Sequence, residues 1–210
     1  MSALHPAEAE YRLLYTVVVA GKSARFAEAA MGRFLAEAGD AWPFDWVAAL
    51  DAKGELEARM RAARMGCYGR LCRSFREIAK GRPDLMTATP AELEKFHGVG
   101  PKSSRFAIMW VRPQERFAAL DTHVLKWLRF LGQKAPKATP SGEEYARLER
   151  FFISEADKRE FNPRLLDAMI WEHSSNCTGN GDPKDWPTWL QKEPAQPPAD
   201  VLSYFKSYAA

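Results

Sequence analysis

Apolar positions along this chain recur at helical spacing, and proline, glycine and capping residues fall between the periodic stretches. Residues 6–20, PAEAEYRLLYTVVVA, predict a first helix with Pro6 in its first turn and Tyr11, Leu14, Tyr15 and Val18 on one face. The β-branched run at its end also suits a strand, but no partner strand is visible. Gly21 breaks the pattern. Ser23 then caps a second helix reaching Ala38, with Phe26, Ala30, Phe34 and Leu35 as its buried stripe, and Gly39 ends it. Trp42-Pro43 opens a short helix carrying Trp46, Val47 and Leu50, and two more helices, broken near Met65-Gly66, fit the stretch from Gly54 to Gly81. Thr89-Pro90-Ala91-Glu92 and Ser141-Gly142-Glu143-Glu144 both read as capping boxes. Asn162-Pro163 starts a helix through Leu165, Leu166, Met169, Ile170 and Trp171, and the tail from Cys177 onward predicts one or two short helices wrapped over the surface.

The expectation is an all-α protein of roughly ten to twelve short helices, at the usual length of about 11 residues each. Two helical lobes with a groove between them are expected. One lobe spans residues 23–134; the other combines residues 1–22 with 135–190, and residues 191–210 form a C-terminal tail.

Composition narrows the class. Apolar residues make up 46 % of the 210, enough for a real core. A net charge of +3 permits nucleic acid as a partner without arguing for it alone. Three cysteines, Cys67, Cys72 and Cys177, show no paired spacing, which fits a reducing compartment and offers no four-cysteine set for zinc or an iron–sulfur cluster. The N-terminus lacks signal-peptide architecture, and the most apolar run, Leu13 to Ala20, is too short to span a bilayer. An intracellular, monomeric protein with no membrane association is expected.

The candidate chemistry sits between Thr89 and Leu131: TPAELEKFHGVGPKSSRFAIMWVRPQERFAALDTHVLKWLRFL. Gly98-Val99-Gly100 makes a turn between two helices, and Pro101 restarts the second without losing a hydrogen bond. Glycines that permit positive φ let backbone approach a ligand closely, and the amides that open the next helix suit a phosphate. Such a turn either grips DNA without reading its sequence or is an ordinary tight turn between two core helices. Lys102 lies in the first turn after it; a lysine held there among other cations presents a nucleophilic amine, or is a solvated lysine that touches phosphate. Asp121 follows nineteen residues later at a helix N-cap position, where its carboxylate can cap, take a proton from an amine, or do both.

The string LEKFHGVGPKSS followed by ALDTHVLKWL resembles the helix–hairpin–helix DNA glycosylase superfamily, over roughly residues 10 to 177. The resemblance implies a two-lobed fold acting on a base extruded from duplex DNA. It also implies that Lys102 is the Schiff-base nucleophile of a bifunctional glycosylase/lyase, with Asp121 supporting that step. Gly98, Val99, Gly100 and Ser103 would hold the DNA backbone, and a monovalent cation at the hairpin fits the family pattern. No other cofactor and no catalytic metal are implied. Three departures stand out. Ala20-Gly21-Lys22-Ser23 replaces the usual Gln or Asn wedge, His97 replaces the proline before the hairpin, and Trp171-Glu172-His173 leads to a lone Cys177 where an iron–sulfur loop would begin.

These departures resemble the phage thymine-hypermodification branch, the amino acid:DNA transferases also called α-glutamyl/putrescinyl thymine pyrophosphorylases. That resemblance implies a phage-encoded enzyme working in the host cytoplasm or at the nucleoid. Its substrate would be 5-(pyrophosphoryloxymethyl)uracil in double-stranded DNA, and a small amine or amino acid such as glycine, or a polyamine, would displace pyrophosphate from the C5 methylene. Fixed cations stabilise a leaving pyrophosphate, and Lys22, Lys102, Arg105 and Arg112 are the candidates. His173, with Glu172, is a candidate for binding the incoming amine. Arg59, Arg61, Arg64, Arg70, Arg73 and Arg76 form a basic stretch in which Arg70 and Arg73 are candidate DNA contacts, the others serving a solvated face, and Tyr68 is the aromatic placed to touch a base. Two rivals stand beside this reading: a glycosylase/lyase excising a damaged base such as 8-oxoguanine, and a non-catalytic DNA-binding module.

Overall fold

A computed structural model describes residues 5–176 and 182–208. Among the described residues there are eleven α-helices and two 3-10 turns, with no strand. The chain divides into two compact units, one running through Val111 and the other beginning at Arg112.

In the N-terminal unit, α1 (Pro6–Val19) packs against α2 (Ala24–Leu35), α3 (Pro43–Ala52), α5 (Tyr68–Gly81) and α7 (Pro101–Val111). Burial on nearly every side explains why its sequence shows no clean polar stripe: Leu13, Leu14, Val17 and Val18 are all fully buried. The β-branched run is therefore the middle of a helical core rather than a strand. This also moves the domain division. Residues 1–22 are expected to join residues 135–190, and 112–134 to stay in the first lobe, whereas α1 is the central helix of the N-terminal unit and the C-terminal unit begins at Arg112. Helix α4 (Leu56–Ala62) and the four-residue α6 (Pro90–Leu93) complete that unit.

Local signals mostly act as read. Ser23 accepts from the Phe26 amide, and Thr89 with Glu92 forms a reciprocal capping box. One expected detail differs. The buried stripe of α2 is Ala27, Ala30, Met31 and Phe34, one step round from the expected one, which leaves Phe26 exposed. Trp42, which opens the third helix, is also exposed and rests edge-on against His5.

The C-terminal unit holds α8 (Thr122–Phe130), α9 (Gly142–Lys158), α10 (Pro163–Asn176), 3-10 turns at Pro183–Asp185 and Thr188–Leu190, and α11 (Ala199–Tyr208). Its core gathers Val124, Trp127 and Leu128 with Leu148, Phe152, Leu166, Met169 and Ile170, closed by Trp186, Leu190 and Phe205. The tail is therefore built into this core rather than draped over it. Arg159 pins it there: buried against Glu155 at 2.5 Å, it donates to the carbonyls of Trp189 (3.0 Å) and Gln191 (2.7 Å). The capping box expected at Ser141 is not formed, because Gly142 enters the helix at φ +56° and the Ser141 side chain makes no capping bond. Cys177, the proposed start of an iron–sulfur loop, lies outside the described residues.

Candidate active site

The hairpin turns where expected. Phe96 accepts from the Val99 amide at 3.1 Å, Gly98 takes φ +81°, and Gly100 accepts from the Ser104 amide at 2.9 Å as α7 begins. The two glycines are not equivalent, although both were read as positive-φ positions. A Cβ on Gly98 would lie 2.6 Å from Ser74 Oγ and 3.5 Å from Val17 Cγ1, so the turn is pressed onto α5 and α1. Gly100 is outside the positive-φ set and has open space where a Cβ would stand. Gly98 is thus fixed by packing, and Gly100 leaves the backbone uncovered. Glu77 accepts from the His97 amide at 2.8 Å and ties the turn to α5 from the other side. Val99 and Ser103 have buried side chains, so at these positions the backbone is what remains for a ligand.

Lys102 stands in the first turn of α7 with its Nζ 4.4 Å from the centroid of the Phe106 ring. Among the described residues of its unit this amine has no hydrogen bond or ion pair. Arg105, one turn on, differs: it pairs with Glu94 at 2.7 Å, and Ser104 donates to the same carboxylate.

Lys22 is half-buried where the chain leaves α1 and donates to the Met65 carbonyl at 2.7 Å. Burial pushes its pKa down; the nearby Cys67 opposes this and the Arg70 charge adds to it. Arg70 in turn donates to the Val17 carbonyl at 3.3 Å, an acceptor in the last turn of α1. Lys22, Arg70 and the hairpin are thereby gathered around the C-terminal end of α1, from segments far apart in sequence. One face of the Tyr68 ring is covered by the Arg61 guanidinium at 4.4 Å.

Most of the basic stretch is committed to internal partners. Arg59 pairs with Glu37 and donates to the Phe34 carbonyl, Arg61 pairs with Glu57, Arg73 with Glu77, and Arg76 with Asp51. Arg64, at φ +56°, is exposed and has no side-chain partner among the described residues of its unit.

Asp121, Arg112 and His173 belong to the C-terminal unit. Asp121 caps α8, accepting from the amides of His123 and Val124 at 2.9 Å each. The segment before it is held by groups that sequence reading did not single out. Tyr145 donates to the Ala118 carbonyl (2.6 Å) and accepts from the Leu120 amide (3.3 Å). Glu149 accepts from the Ala118 amide at 3.0 Å, and Thr139 donates to the Leu120 carbonyl at 2.9 Å. Both backbone groups of Ala118 and Leu120 are thus satisfied by side chains, which fixes the register in which Asp121 is presented. His123 Nδ1 bonds to Ser174 Oγ, joining α8 to α10. Arg112 faces Glu115 at 3.6 Å. Burial lowers the pKa of His173, although Glu172 opposes the shift.

Among the described residues no group of three or more His, Cys, Asp or Glu side chains is placed to hold a metal ion. No described helix is long and apolar enough to cross a membrane. Comparison of the chain with protein-family models, curated proteins and solved structures finds no match.

Proposed function

We propose that the protein acts on a base in duplex DNA, transferring a small amine to the C5 methylene of a pyrophosphorylated thymine analogue. The observation that carries the reading is the hairpin: a Gly98-centred turn pressed onto α1 and α5, opening into a helix whose first turn bears a lysine amine with no partner in its unit. Gly100 and the first amides of α7 are the backbone that a phosphate would approach.

In the transfer, the amine nitrogen attacks the methylene carbon. The new C–N bond forms as the C–O bond breaks, and pyrophosphate leaves with the electron pair. The proton lost by the nitrogen passes to a base, a role assigned to Asp121. Lys102 stabilises charge on the leaving phosphates. Lys22 is a second cation for that purpose, its Nζ using one donor on Met65 and keeping others. Arg105 and Arg112 are weaker candidates, since carboxylates already face them.

The unpaired amine of Lys102 also favours a second reading. A glycosylase/lyase needs such an amine to form a Schiff base at the sugar C1′ of an extruded nucleotide. Two incubations separate the readings. Pyrophosphorylated DNA with glycine or putrescine is expected to give a new nucleoside by mass analysis, lost on Lys102→Ala with little change in melting temperature. Borohydride trapping on abasic or 8-oxoguanine duplex is expected to give no crosslink. A crosslink that disappears in Lys102→Ala, with no new nucleoside, replaces transfer by the lyase reaction. DNA binding without either product leaves a binding module.

A further inference from the structure

Helix α7 carries Lys102, Phe106 and Trp110 four residues apart, which sets the three side chains in one row along its surface. All three are partly buried, while Ser104, Ala107, Ile108 and Val111 on the opposite side of the helix are buried. The row is in contact from end to end. The Lys102 Nζ lies over the Phe106 ring, 4.4 Å from its centroid, and Phe106 meets Trp110 edge-on at 6.0 Å. From α1, the Arg12 guanidinium lies over the Trp110 ring at 3.9 Å and is itself paired with Glu8 at 2.6 Å. Every member belongs to the N-terminal unit.

This row holds a cation differently from the next turn of the same helix. Arg105 is paired with Glu94 at 2.7 Å, and a carboxylate so close cancels much of the field that a guanidinium would present to a phosphate. An aromatic face attracts an ammonium through the ring quadrupole and brings no net charge of its own. It also leaves N–H donors on the far side of the nitrogen for a ligand. A lysine stem is long and flexible, so an unanchored ammonium in the first turn of α7 would spread over a wide volume. The Phe106 ring removes that spread, and the Trp110–Arg12 contact behind it braces the ring.

We infer that Phe106 is a positioning residue, holding the Lys102 ammonium beside the hairpin with its charge uncancelled, as an anionic leaving group requires. The contact stands on the geometry of the row; its use in the displacement of pyrophosphate rests on the transfer reading. Phe106 acts here only through Lys102.

Reductive methylation of the full chain with 13C-formaldehyde, read by proton–carbon NMR, tests the contact without DNA. The Lys102 methyl signal is the one missing from Lys102→Ala, and methylation keeps the positive charge that the ring attracts. The signal is expected upfield of most other lysine signals through the Phe106 ring current, to return among them in Phe106→Leu and to stay displaced in Phe106→Tyr. A Lys102 signal undisplaced in the wild-type chain, or still displaced in Phe106→Leu, overturns the proposal.

Turnover of pyrophosphorylated duplex with glycine or putrescine tests the role. Phe106→Leu is expected to lower kcat about tenfold, the scale of a partly desolvated cation–π contact, with KM for duplex and amine held, and Phe106→Tyr to restore it. Phe106→Met takes the place of the leucine variant if that variant melts early. A kcat unchanged by loss of the ring, or not restored by tyrosine, removes the positioning role. A raised KM for duplex with kcat held means that the ring touches the base instead, and overturns the role as well. If the wild-type chain forms no new nucleoside, the transfer reading falls, while a displaced Lys102 signal keeps the contact.

Discussion

Gly98 shows how one position carries both fold and candidate function. Its φ of +81° lies in the left-handed region, and a Cβ there would run into Ser74 Oγ. Gly98→Ala is expected to cost about 1–2 kcal/mol for the backbone alone, with the Ser74 clash added. Chemical denaturation is the check. Adding Ser74→Ala is expected to recover the steric part and leave the backbone part, whereas full recovery would mean that the turn relaxes freely. Glu10 is a second informative residue. It is buried beneath the start of α3, accepts from the Phe44 amide at 2.8 Å, and has Arg82 at 3.8 Å. Burial raises its pKa, against the opposing pulls of the Phe44 hydrogen bond and Arg82. A carboxyl with a raised folded pKa binds its proton more tightly in the native state. Its stabilising share is therefore full below the unfolded carboxyl range and lost as pH rises through the folded pKa. Glu10→Gln keeps the acceptor and removes the charge, so its melting temperature is expected to match the wild type in acid and exceed it near neutrality. An equal offset at both pH values would contradict this.

Helix entry decides how the candidate residues are presented. Asp121 caps α8 as its sequence context predicts, yet its position depends on α9, whose Tyr145 and Glu149 hold the Ala118–Leu120 backbone. Tyr145→Phe leaves the Ala118 carbonyl and Leu120 amide without that partner in a buried place. A loss of about 1–3 kcal/mol is expected from thermal or urea melts. Under the transfer reading, kcat is expected to fall while DNA affinity is held, because only the presentation of Asp121 changes. An unchanged kcat would disconnect α9 from the chemistry. The failed cap at Ser141 makes the complementary point: a serine three residues before a glutamate forms a box only if the backbone between them is right-handed, and Gly142 is not.

Taken as one molecule, the chain uses its charges mostly on itself. Of the six arginines between Arg59 and Arg76, four face carboxylates and Arg70 reaches a backbone carbonyl. Six arginines all neutralising phosphates would give a slope of log K against log salt of about −5. A clearly shallower slope is expected for duplex DNA, measured by fluorescence anisotropy across salt concentrations. A slope at or beyond about −5 would mean that these pairs open to meet the backbone, as weak exposed ion pairs can.

The chain alone determined its helices, most of their ends, the hairpin at Gly98 and the capping place of Asp121, because caps, prolines and helical periodicity act over three or four residues. Tertiary packing decided the rest. The helix expected in the other lobe, α1, became a core of the N-terminal unit because apolar residues on all its sides had neighbours to meet. Arg76, read as part of a solvated face, acquired a carboxylate partner 25 residues away, and Arg73, read as a DNA contact, pairs with Glu77. The aromatic row beside Lys102 ends on Arg12 of α1, a partner that no local sequence signal announces. Long-range burial and charge pairing have no period to read, so which side chains are free to act is settled only once the helices have packed.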